Sequence, residues 1–293
     1  MKAYLFPGQG SQFPGMGKEL YSTIEGNKLF KKANEVLDFD ISKIMFDGSK
    51  EDLKQTNVTQ PAIFIYSVIL SKLLGVSFIP DMVAGHSLGE FSALTATGSI
   101  SFEDGLRLVK IRAEAMRNAC DLKSGTMAAV LGMDDKLVEN ICLEISGIVV
   151  PANYNCPGQI VISGEQEAVE KACELLKNQG AKRTIILPVG GAFHSPLMEP
   201  ARDILAKAID GIKFTPPLCP IYQNVSSQPV KDPKIIKSNL VSQLTAPVKW
   251  TSIIKNMRLD SAKIFTEIGP GKVLQGLCKK IEPNCLTQSA TII

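Results

Sequence analysis

Histidine is scarce in this chain: there are two in 293 residues, His86 and His194. Any chemistry that needs an imidazole base therefore has two candidates. Cysteine pairing is also missing. The seven cysteines, at 120, 142, 156, 173, 219, 278 and 285, form no CxxC pair, and their number is odd. Neither a metal centre nor a disulfide framework is expected from them. They read as small buried apolar residues in a reducing compartment. No long hydrophobic run occurs. The most apolar region, Pro61 to Met82, is broken by Lys72, Gly75, Pro80 and Asp81, short of the ~20 residues of a membrane span. It reads as a buried helix followed by the approach to a strand. The apolar stretch at Met1–Phe6 ends at Pro7, too short for the ~7–15 residues of a leader core. Strong charge of one sign is absent too. A net charge of +3 is not the electrostatic footprint of a nucleic-acid binder. A cytoplasmic protein that binds neither nucleic acid nor membrane is expected.

What is present suits a large core: 45% of residues are hydrophobic and 21% charged. The length is great for one simple domain and small for two full ones. One large α/β domain carrying an inserted subdomain fits it. Lys2–Phe6 predicts a strand, followed by the turn-rich loop Pro7–Gln12. Residues 17–37 and Asn57–Leu74 have helical spacing. Met82–Ala84 predicts a short strand and Leu88–Thr97 a helix. Ser101 caps the next helix, with Asp104 three residues on. From 124 to 191 the pattern changes. Thr126–Leu131, Ile148–Ala152, Gln159–Ser163 and Arg183–Val189 predict strands. Asp134–Ile145 and Gln166–Asn178 predict helices. The order βαββαβ is the split ferredoxin-like pattern. The expected division is 1–123 with 192–293 as the large domain and 124–191 as the small one, hinged at Ser124-Gly125 and Gly190-Gly191. Leu197–Ile209 then predicts a helix, and Pro220–Asn224 and Lys263–Ile268 predict strands.

Gly85-His86-Ser87-Leu88-Gly89 fits G-x-S-x-G, the turn that presents a nucleophilic serine between a strand and a helix. Ser87 also stands at a helix N-terminus, which favours developing negative charge. The Leu88 N–H is the first natural oxyanion donor, and the Pro7–Gln12 loop could lend a second. A serine needs a base. His86 adjoins Ser87 on a sharp turn and points elsewhere, as a packed imidazole bracing the turn. His194 is the base by elimination. The group that orients His194 stays open between a carboxylate and a backbone carbonyl.

Arg112 is out of place. At roughly 100° per residue, Leu106, Leu108, Val109, Arg112, Ala113 and Met116 fall in one arc, and Arg107, Lys110, Glu114 and Arg117 in the opposite one. A guanidinium on an apolar face needs an anion. That anion is either a protein carboxylate or the carboxylate of a substrate, which the planar fork of arginine suits better than lysine does.

Taken together, these motifs resemble the malonyl-CoA:acyl carrier protein transacylase family over nearly the whole chain. The resemblance lies in Phe6–Gln12, Gly85–Glu90, Arg112 and Asn153–Gln159. It continues in Ala192–Ser195, in Gln243-Leu244 with Pro247-Val248, and in Glu267–Gly271. It implies a hydrolase-like domain with a ferredoxin-like insert. It implies Ser87 as nucleophile, His194 as base and the Gln243 carbonyl as its orienting group. Gln9 and Leu88 would form the oxyanion hole, and Arg112 would bind the malonyl carboxylate. The substrates would be malonyl-CoA and an acyl carrier protein, with no metal or other cofactor, in fatty-acid biosynthesis. Ala192–Ser195 matches the segment that accompanies malonyl choice in related polyketide enzymes, while Gly191 departs from the bulkier residue usual before it. A monomer is expected. Lys182-Arg183, Lys231–Lys237 and Lys279-Lys280 are candidate contacts for an acidic partner. Two other classes share part of the pattern: a serine hydrolase, and a module that only binds carrier protein.

Overall fold

The computed structural model describes residues 1–292. Among the described residues, ten strands form two sheets. The first holds β1 (Lys2–Phe6), β2 (Met82–Gly85), β7 (Ile221–Tyr222), β8 (Pro229–Val230), β9 (Ile264–Glu267) and β10 (Leu286–Ser289) in the order β10-β9-β1-β2-β7-β8. All its pairings are parallel except β7 with β8. β1 and β2 are short and almost wholly buried, as parallel strands covered by helices on both faces must be. The second sheet holds β3 (Gly125–Leu131), β4 (Val149–Cys156), β5 (Gln159–Glu165) and β6 (Arg183–Ile186) in the antiparallel order β4-β5-β3-β6. Its helices are Asp135–Glu144 and Gln166–Asn178. This is the ferredoxin-like arrangement that the element order predicts. Its apolar residues form a core of their own, including Val130, Val138, Ile141, Ile160, Ile162, Val169 and Leu176.

Two helices carry the site. Thr56–Leu73 is buried on most faces and brings Gln60 inward. Phe102–Leu122 starts at Ser101, whose side chain accepts the Asp104 N–H at 3.0 Å. It turns Leu106, Leu108, Val109, Ala113 and Met116 into the core. Burying each of the leucine, valine and methionine side chains contributes about 1.5–3 kcal/mol. Arg112 lies among them, 1% exposed.

Four of the changes from expectation have a visible local cause. The single helical stretch 17–37 is divided into Lys18–Tyr21 and Ile24–Leu37, because the Thr23 side chain accepts the Gly26 N–H and starts a new helix. β6 ends at Ile186 rather than Val189, just before Pro188, which has no N–H for the ladder. Only Ile221–Tyr222 of 220–224 is strand, since Gln223 and Asn224 turn into a side-chain network. The helix expected at Leu197 opens with a 3₁₀ turn, Pro196–Met198, before Glu199–Asp210. Among the described residues no helix is long and apolar enough to cross a membrane. No group of three or more His, Cys, Asp or Glu there is placed to hold a metal. All seven cysteines are free, and all but Cys120 are buried.

Candidate active site

The serine turn begins where β2 ends. Gly85 packs directly against the start of the helix Gly89–Ala96: a Cβ on Gly85 would lie 1.9 Å from the Gly89 carbonyl carbon. Only a residue without a side chain fits there. Ser87 has φ 52°, a left-handed conformation that raises its hydroxyl out of the chain. The turn is held from far away. Asn224 Oδ1 accepts the Ser87 N–H at 2.7 Å, and Asn224 Nδ2 donates to the Gly85 carbonyl at 2.7 Å.

His194 also has a positive φ, 57°. Its Nε2 is 2.8 Å from Ser87 Oγ, and its Nδ1 is 2.8 Å from the Gln243 carbonyl oxygen. A carbonyl only accepts, so Nδ1 carries the proton and Nε2 presents its lone pair to the serine. Burial, and next the Arg112 charge, push the His194 imidazole down to about 3, against the pull of the Gln243 hydrogen bond. The imidazole is therefore neutral at pH 7. His86 takes no part in this chain. Its Nε2 is 3.0 Å from Asn155 Oδ1, and its ring lies 5.4 Å from that of Trp250.

Arg112 reaches the same point from the helix side. Its Nη1 donates to Gln60 Oε1 at 2.6 Å; its Nη2 donates to Ser87 Oγ at 2.9 Å and to Gln243 Oε1 at 3.1 Å. Its Nε has no partner among the described residues. Among the described residues no carboxylate lies within ion-pair distance of it. Of the two anions considered for it, a contacting protein carboxylate is thus not found. Burial lowers its pKa to about 10, with the Glu90 charge opposing, so it remains a cation at neutral pH. The serine hydroxyl can donate to His194 and accept from Arg112 at once.

These side chains line a cavity of about 180 Å³ between the two sheets, with Gln9, Leu88, Asn153, Met127, Val161 and Leu187 around it. Gly8 brings the first loop onto the turn, since a Cβ there would come within 2.4 Å of the His86 carbonyl oxygen. Neither the Gln9 nor the Leu88 N–H is taken by an acceptor among the described residues. Three residues of the site escaped sequence reasoning: Gln60, Glu90 and Asn224. Glu90 is fully buried and accepts hydrogen bonds from the Asn224 N–H and from Gln243 Nε2, the latter at 2.8 Å. Burial pushes its carboxyl upward, opposed by those two donors, which hold the ionised form, and by Arg112. A carboxylate in the otherwise uncharged run Gly89–Ala96 was the available signal. Asn224, 137 residues from Ser87, gave none.

A serine held by an imidazole, beside a buried cation that no carboxylate among the described residues contacts, is built to carry an acyl group that bears a negative charge. The chain belongs to the acyl transferase domain family, whose model matches residues 3–283. It is 44% identical over 284 residues to the malonyl CoA-acyl carrier protein transacylase of Bacillus subtilis (strain 168), covering 95% of this chain and 90% of that protein. An acyl carrier protein S-malonyltransferase from Vibrio cholerae superposes with a TM-score of 0.95 at 38% identity, covering 100% of this chain and 97% of that one. A malonyl-transacylase solved in complex with a type II PKS acyl-carrier protein gives a TM-score of 0.94 at 38% identity, over 99% of this chain and 94% of that one.

Proposed function

We propose that this protein moves a malonyl group from malonyl-CoA to the phosphopantetheine thiol of an acyl carrier protein, through a malonyl ester on Ser87. The observation that carries this is Arg112: a buried cation, with no carboxylate in contact, hydrogen-bonded to the nucleophile itself. The malonyl carboxylate is one methylene away from the reacting carbonyl. An anion that must sit so close to the serine suits a guanidinium so close to it.

His194 Nε2 takes the Ser87 proton as Oγ attacks the thioester carbonyl. The Gln9 and Leu88 amides receive the oxyanion of the tetrahedral intermediate. The intermediate collapses, the C–S bond breaks, and the proton on His194 leaves with the CoA thiol. In the second half the carrier's thiol gives its proton to His194 and attacks the malonyl ester. Ser87 Oγ leaves and recovers that proton. The Gln243 carbonyl holds the imidazole in the required tautomer throughout, the part a carboxylate plays in other serine triads. These steps call for no metal or redox cofactor. Residues 124–191 form the small domain that closes one wall of the cavity, in a protein of the cytoplasm that supplies fatty-acid synthesis. The four-stranded sheet, whose Met127 and Val161 line the cavity, supports that division.

Intact-protein mass spectrometry after brief mixing with malonyl-CoA tests the reading. A malonyl adduct is expected on the parent, absent from Ser87→Ala and discharged by a carrier-protein thiol. Loss of Ser87 should cost on the order of 10⁴–10⁶ in rate. Free malonate without an adduct would point instead to a hydrolase.

A further inference from the structure

The transfer steps leave a buried carboxyl beside the site unused. Glu90 sits in the first turn of Gly89–Ala96, with no exposed surface. Its Oε1 accepts the backbone N–H of Asn224, and its Oε2 accepts Gln243 Nε2. A backbone N–H is always a donor, so one oxygen is committed. The second oxygen faces an amide that could in principle present either end.

The Gln243 amide is constrained on every side. Its Nε2 also donates to the Ser87 carbonyl at 3.0 Å, and its Oε1 accepts from Arg112 Nη2 at 3.1 Å. Turning the amide over would set its oxygen against the Glu90 carboxylate and the Ser87 carbonyl. It would also set its NH₂ against the guanidinium. Both Glu90 oxygens accept from N–H donors, so these contacts hold the ionised carboxylate, whose charge gives the largest preference between the two orientations. The amide in turn helps fix where the guanidinium points. We propose that Glu90 is a positioning residue that sets the orientation of the Gln243 amide and, through it, the aim of Arg112 at the acyl carboxylate. This rests on the malonyl-transfer reading above.

Glutamine is nearly the same shape as glutamate but has one accepting oxygen where two donors converge. In Glu90→Gln, one of the Asn224 and Gln243 donors must face another NH₂. The Gln243 amide relieves this by turning over, and Arg112 then loses its acceptor. His194 keeps its carbonyl partner, because that belongs to the backbone. The effect should therefore fall on recognition of the carboxylate rather than on the base.

The test compares loading from malonyl-CoA and acetyl-CoA by parent and Glu90→Gln, with thermal melting as a check on folding. The expected result is a folded variant whose malonyl-to-acetyl ratio of kcat/KM drops at least about tenfold, chiefly through the malonyl KM, the effect of one charge-assisted hydrogen bond. An equal fall for both donors, or an unchanged ratio, overturns the proposal. If Glu90→Gln does not fold, Glu90→Asp serves. It is one methylene shorter and cannot reach both donors, so its ratio must also drop, and an unchanged ratio overturns the proposal. If neither variant folds, the role is structural and the proposal falls. A parent that takes no malonyl from CoA overturns the transfer reading, and this inference with it. A parent that loads malonyl, beside a Glu90→Gln variant of unchanged ratio, overturns this inference alone.

Discussion

Replacing Arg112 with alanine should damage selectivity far more than stability, although Arg112 is among the largest fully buried side chains. The guanidinium makes three hydrogen bonds to neutral acceptors, leaves Nε unpartnered and touches no carboxylate. It carries the desolvation cost of a buried cation without a contacting counter-ion. Truncating a structural buried ion pair costs about 3–5 kcal/mol. Here the change removes that cation, and the space it vacates joins the cavity of about 180 Å³ that Gln60, Ser87 and Arg112 line, so water can reach the oxygens it leaves behind. The loss of unfolding free energy should stay below about 2 kcal/mol. Malonyl binding is a different matter. Two charge-assisted hydrogen bonds to the carboxylate at about 1.5–3 kcal/mol each amount to about 3–6 kcal/mol, or about 10²–10⁴ in kcat/KM. Acetyl has no carboxylate and loses none of this. The assay is single-turnover loading from each CoA thioester, followed by mass, beside chemical denaturation of the same samples. A variant that loses 3–5 kcal/mol of stability yet keeps its malonyl-to-acetyl ratio would refute the reasoning, because Arg112 would then be a structural strut.

Two further outcomes follow from the same geometry. Gln243→Ala keeps the carbonyl that holds His194 Nδ1 and removes only the amide. It should raise the malonyl KM and slow transfer about 10–100-fold, against on the order of 10⁴–10⁶ for His194→Ala. Equal inactivation in the two variants would show that the side chain, not the carbonyl, holds the base. The pH dependence also has a definite sign. A lowered imidazole pKa leaves the proton-accepting form dominant at every pH above about 3, so kcat/KM for acetyl transfer should show no acid limb from His194 between about pH 5 and 7. A limb at the ordinary value of 6.5 that disappears when His194 is replaced would contradict this.

Much of the site was legible in the linear sequence, for local reasons. A strand, a glycine, a serine and a second glycine before a helix define one backbone geometry, because the turn is too tight for a Cβ at Gly85. Two histidines left one candidate base. Helical periodicity alone put Arg112 on the apolar face of Phe102–Leu122. The alternation of elements between 125 and 186 specified the second sheet, since each strand and helix there is closed by its own turn residues.

The tertiary structure decided whatever depends on groups that carry no sequence signature or on partners far along the chain. Every residue has a carbonyl, so residue type offered no sign that the one at Gln243, 49 positions away, would orient His194. Whether Arg112 had a protein counter-ion depended on which side chains the fold brings within reach, and the answer was three neutral oxygens. Asn224 looks ordinary as a letter, and Glu90 stands out only as a charge in an uncharged run. Burial and convergence make one a carboxyl with a raised pKa and the other the clasp of the serine turn. Short-range backbone geometry is written in consecutive residues. Desolvation and long-range hydrogen bonding exist only once the chain has closed around them.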